Sequence, residues 1–175
     1  MANSVPHLRL ITVRPRESRA SLQVGTATFP CAIGRSGIRR RKREGDGATP
    51  IGSWPIRRVL YRADKLSLPA TGLENWAIDR HDGWCDAPAD RRYNLPVRLP
   101  YGASTESLWR DDDLYDVVVV LGQNDDPVIP GLGSAIFMHV ARPDYGPTEG
   151  CVALKREDLL QVLSRVTPDT RLLVG

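Results

Sequence analysis

Only three of the 175 residues are histidine and three are cysteine, and one of each falls in MHVARPDYGPTEGCVAL, Met138 to Leu154. His139 and Cys151 stand 12 positions apart, with Pro143, Gly146 and Pro147 between them. Nucleophilic thiol chemistry needs a thiolate, a base within hydrogen-bond reach, and donors for the oxyanion that forms on the attacked carbonyl. A free thiol with a pKa near ~8.5 is mostly protonated at neutral pH, and a neighbouring imidazolium lowers that value. Two strands joined by a loop of this composition could bring the two side chains together. Gly150 removes a side chain just before Cys151, so the backbone N–H groups of Gly150 and Cys151 can approach a carbonyl oxygen closely. A plainer account also fits: His139 as a hydrogen-bonded core residue and Cys151 as a small buried hydrophobe. Spacing alone does not separate the two.

The elements that must position this pair read as strands. Leu114–Asp125 (LYDVVVVLGQND) is a continuous β-branched run ended by turn residues, the pattern of a buried strand. Gly133–Ala141 (GSAIFMHVA) reads as a second strand, with His139 near its end. The first third holds the partly alternating runs Leu8–Val13 and Ala20–Gly34, bounded by Pro, Ser and Gly. Gly45–Tyr61 starts as a turn and ends as a strand, and Asn75–Pro100 is broken every few residues into structured loops. Two helices are expected. Ser104–Asp113 (STESLWRDDD) opens with a capping-type Ser-Thr-Glu, and Lys155–Val166 carries Leu159, Leu160, Leu163 and Val166 on one face. Thr167–Gly175 then supplies a turn and a last strand. The fold class is mainly β with a few short helices, one of them near the C-terminus. No Gly- or Ser-rich linker divides the chain, so residues 1–175 are expected to form a single domain.

Composition narrows the function classes. The chain is 41% hydrophobic and 26% charged, and no apolar run approaches the roughly 18 residues of a membrane span. The first 18 residues lack the apolar core of ~7–15 residues that a secretory signal carries. Charge is uneven: residues 1–62 carry 13 basic and 3 acidic side chains, whereas residues 63–175 carry 11 and 18. The basic run Arg39–Arg43 (RRRKR) lies between Gly37 and Gly45 without interleaved aromatics, so it reads as a solvated loop and not as a nucleic-acid surface. Cys31, Cys85 and Cys151 are too few for a disulfide scaffold, and three scattered histidines offer no metal-ligand spacing.

The His139–Cys151 stretch resembles the active-site signature of the L,D-transpeptidase (YkuD-type) catalytic domain, in which a strand-end histidine precedes a Ser/Thr-His-Gly-Cys turn. Thr148, Gly150 and Cys151 match the turn and His139 the upstream histidine. Lys42–Trp54 (KREGDGATPIGSW) resembles the family's Lys-x-Gly-Asp-Gly-x-Thr-Pro-x-Gly segment. Asp82–Val97, Leu114–Asp125 and Gly133–Pro143 are similar to a bacterial subfamily, so the likeness runs from about Cys31 to the C-terminus. Two positions depart from the pattern: Glu149 stands in place of the turn histidine, and Ala153 in place of a polar residue after the cysteine. The loop between His139 and the turn is also short for the family.

The resemblance implies a β-sandwich acting on peptidoglycan stem peptides in the periplasm or cell envelope, with no cofactor. Cys151 is then the nucleophile and His139 the base, with the Val140 carbonyl orienting the imidazole. The thiolate attacks the carbonyl of an L-centre, D-alanine leaves, and the thioester passes to an amine. Carbapenem sensitivity and a role in cell-wall biogenesis and cell shape are implied by the same likeness. Water as acceptor would make the enzyme an L,D-carboxypeptidase or L,D-endopeptidase, and loss of the turn histidine leaves a non-catalytic wall-binding module as a further alternative. Around the pair, Arg142 could clamp a stem-peptide carboxylate or pair with Asp144, and Tyr145 could line the cleft or cover the core. Trp84 falls in a polar-aromatic loop that fits a lid or a structural element. Thr148 and Glu149, in the turn itself, are expected to contact the substrate. Asp46 and Thr49 are expected to hold the GDGATP turn, and Cys85 to be structural.

Overall fold

A computed structural model describes residues 4–12 and 17–175. Residues 1–3 and 13–16 lie outside the described residues, and with them Val13, the last residue of the first expected strand. The strands are β1 (His7–Ile11), β2 (Arg19–Val24), β3 (Ala27–Ala32), β4 (Ile38–Arg39), β5 (Thr49–Pro50), β6 (Gly52–Tyr61) and β7 (Asn75–Ala77). They continue as β8 (Asp82–Cys85), β9 (Pro96–Arg98), β10 (Thr105–Ser107), β11 (Val117–Leu121), β12 (Phe137–Val140), β13 (Val152–Leu154) and β14 (Arg171–Val174). Among the described residues there is one α-helix, α1 (Arg156–Leu163). The mainly β reading with a helix near the C-terminus holds.

The expected helix over Ser104–Asp113 does not form. In its place β10 pairs antiparallel with β8, Thr105 opposite Cys85 and Ser107 opposite Gly83. The capping-type start is followed by no apolar stripe of helical period. Asp111, Asp112 and Asp113 would put negative charge at the helix's negative end. Pairing to a neighbouring strand therefore wins over a weak local preference.

The main sheet runs β11-β12-β13-β3-β2-β1-β14-β6-β7, and β6 also pairs with β11. The ladder thus closes on itself through β6, whose ten residues change partner along their length. Gly52–Pro55 face β14, while Ile56–Tyr61 face β11. A separate three-stranded sheet, β10-β8-β9, stands beside it.

Side chains along β11 and β12 alternate between two apolar layers, as the two-residue period of a strand demands. Val117, Val119, Leu121, Met138 and Val140 enter the larger core, together with Val152, Leu154 and the buried face of α1 (Leu159, Val162, Leu163). Val118, Val120, Phe137 and Cys151 enter a smaller cluster with Trp84, Leu108 and Tyr115. The strand register therefore decides which residues meet at the second layer.

An ion cluster fastens the helix to this arrangement. Asp116, fully buried at the start of β11, sits 3.0 Å from Arg156 Nη1 and 2.8 Å from Lys65 Nζ. Arg156 opens α1 and Lys65 lies in the loop after β6, so one carboxylate ties three segments. Replacing it (Asp116→Ala) should lower stability by roughly 2–3 kcal/mol, because charge-assisted bonds are lost while the two partly exposed cations regain water. Thermal melts of the variant beside the parent check this; equal melting temperatures would mean the cluster adds nothing to helix docking.

Candidate active site

His139 and Cys151 meet because β12 and β13 run parallel as neighbours. Met138 lies opposite Val152 and His139 opposite Ala153, so Cys151 falls one step before the ladder, beside Phe137. Parallel partners in register present the same face. Phe137, His139, Cys151 and Ala153 accordingly project together, and strand spacing sets the Cα atoms of His139 and Cys151 roughly 8 Å apart. Both side chains line one cavity of about 510 Å³.

The imidazole is buried and held in one orientation. Its Nδ1 lies 2.8 Å from the Val140 carbonyl, which can only accept, so Nδ1 carries the proton and Nε2 keeps the free lone pair. The Tyr115 ring packs against it edge-to-face with centroids 5.3 Å apart. Tyr115 is itself anchored by its hydroxyl, which donates to Glu106 Oε1 at 2.5 Å. On the cysteine side, the thiol donates to the Ala135 carbonyl at 3.3 Å, and Sγ receives the Phe137 N–H at 3.4 Å.

The turn before Cys151 is stitched to the segment after β3. The Thr148 N–H donates to the Ile33 carbonyl at 3.0 Å, and the Thr148 carbonyl receives the Arg35 N–H at 2.8 Å. The Thr49 hydroxyl receives the Gly34 N–H and donates to the Gly150 carbonyl, both at 2.9 Å in buried surroundings. Gly150 adopts φ +136°, and a Cβ there would come within 2.9 Å of the Ala48 carbonyl oxygen. Only glycine meets both conditions without strain. Thr148 Oγ1 closes the turn, accepting the Gly150 N–H at 3.1 Å and donating to the Cys151 carbonyl at 2.7 Å.

Asp46 holds the preceding loop. Its carboxylate accepts from Lys42 Nζ at 2.5 Å and from the N–H groups of Ala48 and Arg43, each at 2.9 Å. Lys42 is buried in the cavity wall, so the RRRKR run is not wholly solvated as its charge implies.

The remaining expected residues divide. Arg142 lines the cavity rim. Asp144 does not pair with it; Asp144 Oδ1 receives the Gly146 N–H at 2.9 Å instead. Glu149 also reaches the rim, where it pairs with Arg35 Nε at 2.9 Å; the two side chains are 76% and 51% exposed. Tyr145 lines an adjoining groove with Pro143 and Lys155 and does not line the cavity of Cys151. Trp84 also stays outside that cavity. It packs edge-to-face on Phe137 at 5.1 Å and donates to Asn94 Oδ1 at 3.0 Å, which makes it part of the layer beneath the site. Cys31 and Cys85 are buried free thiols like Cys151, and no pair is bridged.

Several cavity residues escape the sequence reading: Lys42, Glu44, Glu106, Arg110, Tyr115 and Ser134. Glu106 was hidden by the helix assignment. Tyr115 had a legible signal, since it stands two residues before the buried run of β11.

Electrostatics keep the resting pair neutral. Burial pushes the Cys151 thiol up to about 12, and Glu106 adds to the rise; the Phe137 N–H opposes it. Burial lowers His139 to about 4 against the help of the Val140 carbonyl. The site therefore holds an uncharged acid beside an uncharged base, and charge separates only as the proton moves.

The L,D-transpeptidase catalytic domain, YkuD, matches residues 9–174, and the chain belongs to that family. Among solved structures, Mycobacterium tuberculosis L,D-transpeptidase 1 is similar with a TM-score of 0.38 and 14% identity, over 95% of this chain and 62% of that one. None of the curated protein sequences matches.

A histidine depressed to about 4 has a definite consequence for stability. Unfolded histidine titrates near ~6.5, so between these values the unfolded state binds more protons than the folded one. Stability should fall as pH drops from about 6.5 towards 4, by on the order of 3 kcal/mol. The raised thiols of Cys31 and Cys151 act at the other end, where stability is lost as pH rises above the ordinary value of 9.0. An NMR titration of the His139 ring alongside urea melts checks the acid side; a midpoint near 6.5 would contradict it.

Proposed function

We propose that this catalytic domain is a peptidoglycan L,D-transpeptidase in which Cys151 is the nucleophile and His139 the general base. The observation that carries the reading is the shared cavity. It holds a thiol and an imidazole on one sheet face, with Nδ1 committed to the Val140 carbonyl and Nε2 left as the acceptor.

As Sγ attacks the carbonyl carbon of the L-centre residue of a tetrapeptide stem, Nε2 takes the thiol proton. The backbone N–H groups of Cys151 and Gly150 hold the oxyanion, the latter once Thr148 Oγ1 gives it up. The imidazolium then protonates the departing nitrogen, D-alanine leaves, and a thioester remains. An amine from a second stem takes the acyl group and regenerates the thiol. Water in its place gives the trimmed stem. Such a substrate requires the domain to act in the cell envelope.

Two features shape the substrate. Arg142 at the rim suits a carboxylate of the stem, because a guanidinium gives two parallel hydrogen bonds to it. The charge of Glu149 is met by Arg35, so it adds little to the thiol, for which it is the last cause of the rise.

Purified protein with a defined tetrapeptide stem should release D-alanine, with the rate falling by about three orders of magnitude or more in Cys151→Ala and in His139→Ala. Mass spectrometry of muropeptides reads the products: crosslinked dimers for transfer, tripeptides alone for hydrolysis. Undiminished release in either variant would sink the mechanism. For Arg142→Ala, KM for the stem should rise about tenfold with kcat changed little. Steady-state kinetics settle this, and an unchanged KM would remove Arg142 from binding.

A further inference from the structure

The cavity holds more negative charge than thioester chemistry at Cys151 requires. Glu106 projects from β10 into it, with Oε1 fixed by the Tyr115 hydroxyl. Asp86 follows β8 and lines the same cavity. Its N–H pairs with the Ser104 carbonyl and Glu106 lies opposite Trp84, so the two acids are diagonal neighbours on one face of the small sheet. The Oδ1 of Asp86 is buried with no hydrogen-bond partner. Two of the cavity's three cations are engaged elsewhere: Lys42 with Asp46 and the Arg43 carbonyl, Arg110 in a two-pronged pair with Asp112; the third, Arg142, makes no ion pair with Glu106 or Asp86. Of the cavity's other two acids, Glu44 is used by Tyr93, Ser134 and the Gly45 N–H, and Glu149 pairs with Arg35. Two carboxylates thus share a partly dry wall with no cation of the protein bound to either. Crowding has a cost that shows in Glu106, which is raised by burial first and by Asp86 and Glu44 after the opposing help of Tyr115 and Arg110. A buried lone oxygen needs a donor, and beside a second acid a donor carrying positive charge relieves the repulsion as well.

We propose that Glu106, with Asp86 beside it, is the receptor for the ammonium group of the amine that takes the acyl chain from Cys151, an inference that rests on the thioester reading above. The amine nitrogen forms its bond to the thioester carbonyl as the C–S bond breaks. Of the ammonium's three protons, one stays on the new amide and one passes through His139 to the departing Sγ. The third leaves to solvent by way of the Glu106 carboxylate. Water needs no such receptor, so this wall favours transfer over hydrolysis.

The ratio of aminolysis to hydrolysis from one thioester tests the idea, because both products share the same intermediate. Glu106→Gln keeps an acceptor for Tyr115 while removing the charge. It should lower that ratio about tenfold or more at fixed acceptor concentration, with Asp86→Asn acting in the same direction. An unchanged ratio in both overturns the proposal, whatever happens to acylation. A second measurement needs no thioester. Cys151→Ala protein should bind Nα-acetyl-L-lysine at least about tenfold more tightly than its Nε-acetylated form, and Glu106→Gln in that background should abolish the difference. Equal binding of the two overturns the proposal. Failure to form a thioester alongside charge-selective binding at Glu106 would instead overturn the reading on which it rests.

Discussion

The parallel pairing of β12 with β13 is the constraint on which the site depends. In that ladder His139 stands opposite Ala153, which places Cys151 two residues back along the same face. A slip of one residue would turn the cysteine into the larger core and leave the histidine facing apolar side chains. Register is protected from both sides. Val152 and Leu154 bury alternate side chains beneath α1, and Val117, Val119 and Leu121 do the same on the far side of β12. The packing of residues that take no part in chemistry therefore decides that the thiol and the imidazole share a cavity.

The same burial that aligns the pair also keeps it neutral. A dry environment disfavours both the thiolate and the imidazolium, so neither forms in the resting state. In the proposed mechanism, reactivity then comes from the substrate's arrival and from groups whose positions are already set. The Val140 carbonyl fixes the tautomer, Tyr115 fixes the ring plane, and the Thr49 and Thr148 hydroxyls fix the turn. These contacts come from four separate stretches of chain. The small β10-β8-β9 sheet contributes Glu106 and, just beyond β8, Asp86, which gives the cavity a charged wall opposite in sign to Arg142.

Glu149 illustrates how a departure from the family's turn is accommodated. Its carboxylate turns outward to Arg35, whose own backbone N–H holds the Thr148 carbonyl. The turn thus keeps its geometry through backbone contacts, while the side chain at that position serves a surface ion pair. Such a substitution is tolerated because the stitches to Ile33, Arg35 and Thr49 use the main chain of Thr148 and Gly150.

The β-branched run of β11, the apolar spacing of α1 and the His139–Cys151 stretch were legible from residue types, because each is a local pattern of period or chemistry. So was the need for glycine before the cysteine. What no local pattern held was the outcome at Ser104–Asp113, where a capping-type start predicts a helix and pairing with β8 makes a strand. That one decision carries Glu106 into the cavity. Trp84 went the other way: its type suggests a cleft-lining aromatic, yet the β8 register sets it on Phe137 in the layer below. By itself the sequence determined the chemistry available, a thiol, an imidazole and a glycine turn in a mainly β chain. Only the tertiary structure decided which charges stand around them. Strand pairing and burial are set by contacts distant along the chain, and these choose the face on which each side chain emerges.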